Sequence, residues 1–344
     1  MNTSKYITLI ITIFIFSSCE KILKKPKPKT SNTAIFNEYT TLIKEKYAML
    51  DFKKMDIQFL QDSIGATINE NLSEKELFDK LSIVAQKLRD GHSYLTHDKM
   101  FAGFDMLSGY PVGFHWGIII DNYLQQSVAP NIKSIIGGEM GIKAVYGFLP
   151  QSNDIGYIWI PSWNIQLSDE EIENIFVEIK DAKGLIFDIR QNSGGDPSLA
   201  VKFAAYFTDK AVYTGYEHFK TGPNPNDFSD SKVYLEPTSS SNKFLKPIAV
   251  LTDRFCYSAS TTFAYSVNPL DNVTFIGQRT GGGSGSVADG YLANGWKWSL
   301  STSEFIDHLG NHLDDGFDPD IFVVTDTLVT TQDEVVERAL LELQ

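Results

Sequence analysis

The chain has 344 residues, which at roughly 100–200 residues per domain argues for two domains, or one large core with an appendage. A hydrophobic share of 42% and a charged share of 21% exclude wholesale disorder and collagen-like or coiled-coil architectures. Lys and Arg number 30 against 43 Asp and Glu, and the resulting net charge of −13 offers a phosphate backbone no global attraction, which argues against nucleic acid as a partner.

The first element is an address. Lys5 precedes the apolar run Tyr6–Phe16, which falls short of the ~20 residues a spanning helix needs and has the shape of a secretory signal over residues 1–18. Phe16-Ser17-Ser18-Cys19 resembles a bacterial lipobox, in which Cys19 is lipidated and anchors the mature chain to a membrane facing the periplasm or cell surface. The alternative is an ordinary signal with an incidental cysteine. Residues 19–34 hold a basic, proline-containing stretch that reads as an extended tether. The other cysteine, Cys256, then has no partner within the chain. Two cysteines are also too few for a disulfide framework or a zinc site.

Residues 35–97 read as a helical subdomain. Ser73 and Glu76 form a capping box ahead of Leu77, Leu81, Val84 and Leu88 at helical spacing, and Gly91 is the expected stop, with His92 just beyond it. Residues 98–330 read as an α/β core, although 98–150 show no legible architecture. Buried strands are expected at 156–161, 185–189, 248–251 and 273–276, with helices following residues 167, 197 and 258. Thr331 and Glu334 predict a second capping box for a C-terminal helix over 331–344.

Three constellations carry possible chemistry. In Asp188-Ile-Arg190-Gln-Asn192-Ser193-Gly194-Gly195-Asp196-Pro197, a strand breaks into a double-glycine turn that opens a helix. Its free N–H groups suit an anion or oxyanion, and an ordinary strand-turn-helix corner is the alternative. Ser258-Ala259-Ser260 opens a helix after another strand, with the logic of a nucleophile elbow; a plain N-cap is the alternative for Ser258. His92, within Asp90-Gly91-His92-Ser93, has the makings of a general base, or it is a structural histidine. Gly281–Gly285 lacks the lysine of a phosphate-binding loop and reads as a flexible or site-lining segment, and Cys256 reads as a packed thiol.

In chain order these motifs, with Gly156–Pro161, Ile276–Gly282 and Gly316-Phe-Asp-Pro319-Asp320, resemble the tail-specific or C-terminal processing serine peptidases over about residues 70–325. The resemblance implies a ClpP- or crotonase-like α/β core behind an N-terminal helical subdomain, peptide or protein substrates, and no cofactor or metal. Thr261 stands where many members have glutamate and Gly283 where they have the catalytic lysine, which leaves a serine–lysine dyad without its lysine. Asp90-Gly91-His92 instead fits a branch resembling the tricorn core protease and the retinoid-binding repeats. That branch implies Ser258 as nucleophile and His92 as base, with Asp314 as the candidate orienting acid and the N–H groups of Ala259 and of Gly194 or Gly195 as the oxyanion hole. It equally admits a degenerate site that only binds peptides or apolar ligands.

Overall fold

The computed structural model describes residues 30–105, 114, 116–125, 127–138, 141–326 and 331–344. The signal at 1–18, Cys19 and the tether up to residue 29 lie outside the described residues. The last part of the stretch read as tether is helical: α1 (Asn32–Lys46) starts behind Ser31, whose side chain accepts the Ala34 N–H at 3.1 Å.

Two further helices follow, α2 (Ile57–Gly65) and α3 (Glu74–Lys87), the latter opened by the expected Ser73/Glu76 capping box. Its end differs from expectation. Leu88 is the C-cap and Arg89, not Gly91, takes the left-handed conformation that ends a helix, at φ 51°. A non-glycine residue pays ~1–2 kcal/mol for that backbone. Here it is held by the Arg89 guanidinium donating to the Lys53 carbonyl at 2.8 Å, and by the Lys53 ammonium donating to the Arg89 carbonyl at 3.1 Å.

The chain then runs through the hairpin β1 (Tyr94–His97) and β2 (Met100–Gly103), and the short helix α4 (Trp116–Ile119), which widens into a π turn over Ile120–Leu124. Next come β3 (Ile132–Ile136), β4 (Ile142–Phe148), β5 (Ile155–Trp159), α5 (Asp169–Ile179), β6 (Gly184–Asp188) and α6 (Pro197–Ala204). After them follow β7 (Val212–Lys220), β8 (Phe228–Leu235), β9 (Ile248–Thr252), α7 (Ala259–Val267) and β10 (Val273–Gly277). The last elements are β11 (Val287–Tyr291), β12 (Lys297–Ser301), β13 (Ser303–Asp307), β14 (Ile321–Phe322) and α8 (Glu334–Glu342).

The central sheet has the order β14-β10-β9-β6-β5-β4-β3, parallel from β14 to β5 and antiparallel beyond it. The four runs expected as buried strands are its neighbours β5, β6, β9 and β10. Helices cover both faces, and the two-residue period of β6 shows why: Leu185 and Phe187 pack with α5, α6 and α7, while Ile186 packs with α4 and α8. The protein is an α/β protein behind an N-terminal helical segment, as expected.

That helical segment does not close on itself. Its core around Phe36, Tyr39, Leu77 and Leu81 is completed by Leu292, Trp296, Trp298 and Leu300, because β12 pairs with β1 in a separate sheet ordered β11-β12-β1-β2. At the other end, α8 is capped by Asp333 rather than by Thr331. The Asp333 carboxylate accepts the N–H groups of Val335 and Val336 while Arg190 holds it through two bonds of 2.9 and 3.0 Å. A charged partner deep in the sheet thus outranks the local capping pattern.

Candidate active site

Loops leaving the C-terminal ends of β5, β6, β9 and β10 meet at one place, where parallel sheets present their ligand sites. After β6, Asp196 caps α6 with Pro197 at its first position, as expected, and its side chain accepts the Ser198 N–H at 2.8 Å. The preceding turn is organised by Asn192, which is fully buried. Its amide nitrogen donates to the Ile160 carbonyl at 3.0 Å, its amide oxygen accepts the Gly194 N–H at 3.0 Å, and its carbonyl accepts the Ser260 hydroxyl at 2.7 Å. Ser260 also accepts the Trp163 indole N–H at 3.0 Å, so it is a buried structural hydroxyl.

Ser258 sits between β9 and α7 with φ 57° and ψ −116°. A non-glycine residue in that region stores strain of order 1–3 kcal/mol. It occupies the N-cap position of α7, yet its side chain makes no capping bond. The hydroxyl is therefore half-buried and uncommitted to the helix, which favours the elbow geometry over the plain N-cap. A Cβ added at Gly194 would lie 2.7 Å from the Ser258 Cβ and 3.1 Å from the Ala259 nitrogen. The double-glycine turn thus lies directly against the serine, with no side chain between.

The three expected oxyanion donors are not equivalent. The Gly194 N–H already donates to Asn192, which removes it from that set, because one N–H cannot also face a ligand at full strength. Ala259 at the start of α7 and the exposed Gly195 remain the pair placed to donate.

His92 packs its ring on Tyr257, the residue before Ser258, with centroids 4.9 Å apart. Its Nδ1 is buried without a hydrogen-bond partner among the described residues. Burial pulls the imidazole below its ordinary value, against a smaller opposing effect of the Asp90 carboxylate. Asp90 is itself buried: it accepts the His92 N–H at 2.9 Å, the Ser93 hydroxyl at 2.5 Å and the Ser301 hydroxyl at 2.7 Å. A largely neutral imidazole, packed on the residue before Ser258, meets one requirement of a general base.

Asp314, expected as the orienting acid, is held elsewhere. Its side chain is 1% exposed and its Oδ2 lies 2.6 Å from the fully buried ammonium of Lys53, which also pairs with Asp315. Burial pushes Asp314 up to about 8, Asp90 adds to the rise, and Lys53 opposes it. Burial alone would lower Lys53, but Asp314 and Asp315 outweigh it and keep the ammonium charged. The structure thus brings Ser258, Ala259 and the double-glycine turn together, sets His92 on the ring of the adjacent Tyr257, and pairs Asp314 with Lys53.

The Gly281–Gly285 segment lines the site. The Gly282 carbonyl accepts the Ser258 N–H at 2.9 Å and the Thr261 hydroxyl at 2.5 Å. Cys256 is a packed thiol, donating to the Ile189 carbonyl at 3.1 Å, with burial driving its pKa up. Sequence reasoning missed Asn192 as the organiser of the turn, Tyr257 as the platform for His92, and Lys53. Asn192 stood inside a motif already singled out, whereas Lys53 stands in Asp51-Phe-Lys-Lys54, which looks like any solvated charged turn.

Residues 154–323 match the profile of Peptidase family S41, a segment that includes Gly195, Ser258 and Asp314 but not His92. The carboxy-terminal processing protease CtpA of Bacillus subtilis is 30% identical over 142 residues, 41% of this chain and 28% of that protein's length. The crystal structure of a candidate peptidase from Parabacteroides merdae is similar with a TM-score of 0.82 at 29% identity, covering 91% of this chain and 96% of that one. Mature CPAF shares the fold, with a TM-score of 0.64 at 12% identity over 91% of this chain and 96% of its own. Residues 154–323 therefore form a Peptidase family S41 domain, and a relationship to the C-terminal processing proteases is supported by the similarity to CtpA.

Proposed function

We propose that the protein is a serine peptidase in which Ser258 attacks a peptide carbonyl. His92 takes the serine proton and returns it to the leaving amine, and the N–H groups of Ala259 and Gly195 hold the tetrahedral oxyanion. Removing one such donor typically slows the reaction by about 10²–10³. The observation that carries this reading is Ser258 itself: a strained serine with an uncommitted hydroxyl, packed against a glycine turn and next to the ring that supports His92. Asp314 orients His92 in this reading only if its carboxyl leaves Lys53 or acts through an intervening group.

The address read from residues 1–19 supports substrates in the cell envelope, with the chain tethered through a lipid on Cys19. Among the described residues no helix is long and apolar enough to cross a membrane.

A degenerate site that binds peptides or apolar ligands is the second reading, favoured by one observation: His92 Nδ1 lacks an acidic partner among the described residues. The two separate by covalent chemistry. Mass spectrometry after fluorophosphonate treatment should show one adduct on Ser258, absent in Ser258→Ala and strongly reduced in His92→Ala. Well-folded protein without an adduct would refute the peptidase and leave the binding module.

A further inference from the structure

We infer that Lys53 is a positioning residue that clamps the His92 loop to the Ser258 loop; the inference rests on the serine–histidine reading above. Its ammonium is fully buried, in a turn between α1 and α2. One arm reaches the histidine side. Lys53 donates to the Arg89 carbonyl at 3.1 Å, and the Arg89 guanidinium donates back to the Lys53 carbonyl at 2.8 Å. That reciprocal pair fixes the left-handed turn from which the chain runs through Asp90 to His92.

The other arm reaches the serine. Lys53 lies 2.6 Å from Asp314, whose main-chain carbonyl accepts the Gly283 N–H at 2.9 Å. The adjacent Gly282 carbonyl accepts the Ser258 N–H at 2.9 Å. Gly282 is fixed there by close approach, since a Cβ on it would collide with the Asp314 carbonyl. Beside this path Phe52 stacks on His312, with centroids 4.5 Å apart and planes 10° from parallel, so the Asp314 loop is held a second time by the same turn.

A purely supporting residue at such a position has little reason to be charged, because apolar replacements of buried ion pairs are often neutral or stabilising. What the ammonium does that an apolar group cannot is donate to a carbonyl on one loop and to a carboxyl oxygen on the other. Misplacement of a reacting group by about 1 Å costs on the order of 10²-fold in rate, so a joint between these two loops bears directly on turnover.

The test is the paired variant Lys53→Met with Asp314→Asn in the full chain, which removes cation and partner together and leaves no unpaired buried charge. Hydrogen exchange followed by mass spectrometry should quicken by about ten-fold or more in peptides spanning 89–95 and 280–284, with β5 and β9 unchanged. Fluorophosphonate labelling of Ser258 should slow by about ten-fold or more in the same variant. Quickening of only one loop, or of neither, overturns the clamp. Uniform quickening that includes β5 and β9 also overturns it and makes Lys53 an ordinary support of the fold. The exchange readout does not need a working nucleophile. A wild-type chain that takes no label would strike the serine reading, while the exchange pattern would still decide the role of Lys53.

Discussion

The ring of Tyr257 fills the space that any side chain on Gly283 would need, since a Cβ built there lies 2.1 Å from the ring's Cζ. Gly283 is the position at which many family members carry a catalytic lysine, by the resemblance of the surrounding motifs. The same ring supports His92 on its other contact. A single tyrosine thus crowds the Gly283 position and supports the ring of His92.

Gly283 has φ 70°, so a side chain there meets both backbone strain and the Tyr257 ring. Gly283→Ala is expected to destabilise the chain by about 2–3 kcal/mol, measured by urea unfolding. Gly283→Lys should lower fluorophosphonate labelling rather than supply a second base. Faster labelling in Gly283→Lys would show that the ring gives way.

Arg190 is 2% exposed and bonds Asp188 at the end of β6 and Asp333 at the cap of α8, which makes it the only charged link seen between that strand and that helix among the described residues. Arg190→Met leaves two buried carboxylates without their cation, and a loss of about 3–5 kcal/mol is expected. Thermal unfolding with limited proteolysis at α8 measures it. A loss under about 1 kcal/mol would mean that Tyr157, which donates to Asp188 at 3.0 Å, suffices with the α8 N-cap bonds to hold both carboxylates.

Much of this fold is written in local pattern. β5, β6, β9 and β10 are continuous apolar runs because both faces are covered, and α6 begins where Asp196 and Pro197 say it should. What escaped were features set by distant residues. Leu292, Trp296, Trp298 and Leu300 complete the core of helices more than 200 positions earlier, and no window of sequence contains both. Arg89 displaces Gly91 as the helix end because Lys53 holds it, and Asp333 displaces Thr331 because Arg190 does. At the site, Ser258 and the glycine turn were legible from strand-turn-helix grammar, whereas the bond that occupies the Gly194 N–H depends on a side-chain orientation no pattern encodes.

Asp314 gives stability a definite pH dependence. Its carboxyl stays protonated up to about 8 in the folded chain, against an ordinary value of 3.8. Between those values the unfolded chain has released a proton that the folded chain keeps, so this group's contribution is present at low pH and is lost as pH rises toward 8. Asp314→Asn cannot titrate. The melting temperature of the variant minus that of the wild type should therefore rise from pH 4 to pH 8, and a flat or falling difference would show that Lys53 keeps the carboxylate ionised throughout.

His92 sets the last expectation, in the activity rather than the stability. Burial holds its pKa below the ordinary 6.5, so the imidazole is neutral at neutral pH, as the proposed proton transfer from Ser258 requires. Labelling of Ser258 by a fluorophosphonate should therefore be level above pH 6.5 and fall only at a midpoint below it. The Asp90 carboxylate is the one charge that opposes this, favouring the imidazolium. Asp90→Asn should move the midpoint to still lower pH, besides slowing the plateau, since an amide oxygen can still accept the His92 N–H while its NH2 cannot accept the Ser93 and Ser301 hydroxyls. A plateau loss without any shift would make Asp90 a purely mechanical support, and a midpoint at or above 6.5 in the wild type would mean that the histidine is solvated when Ser258 reacts.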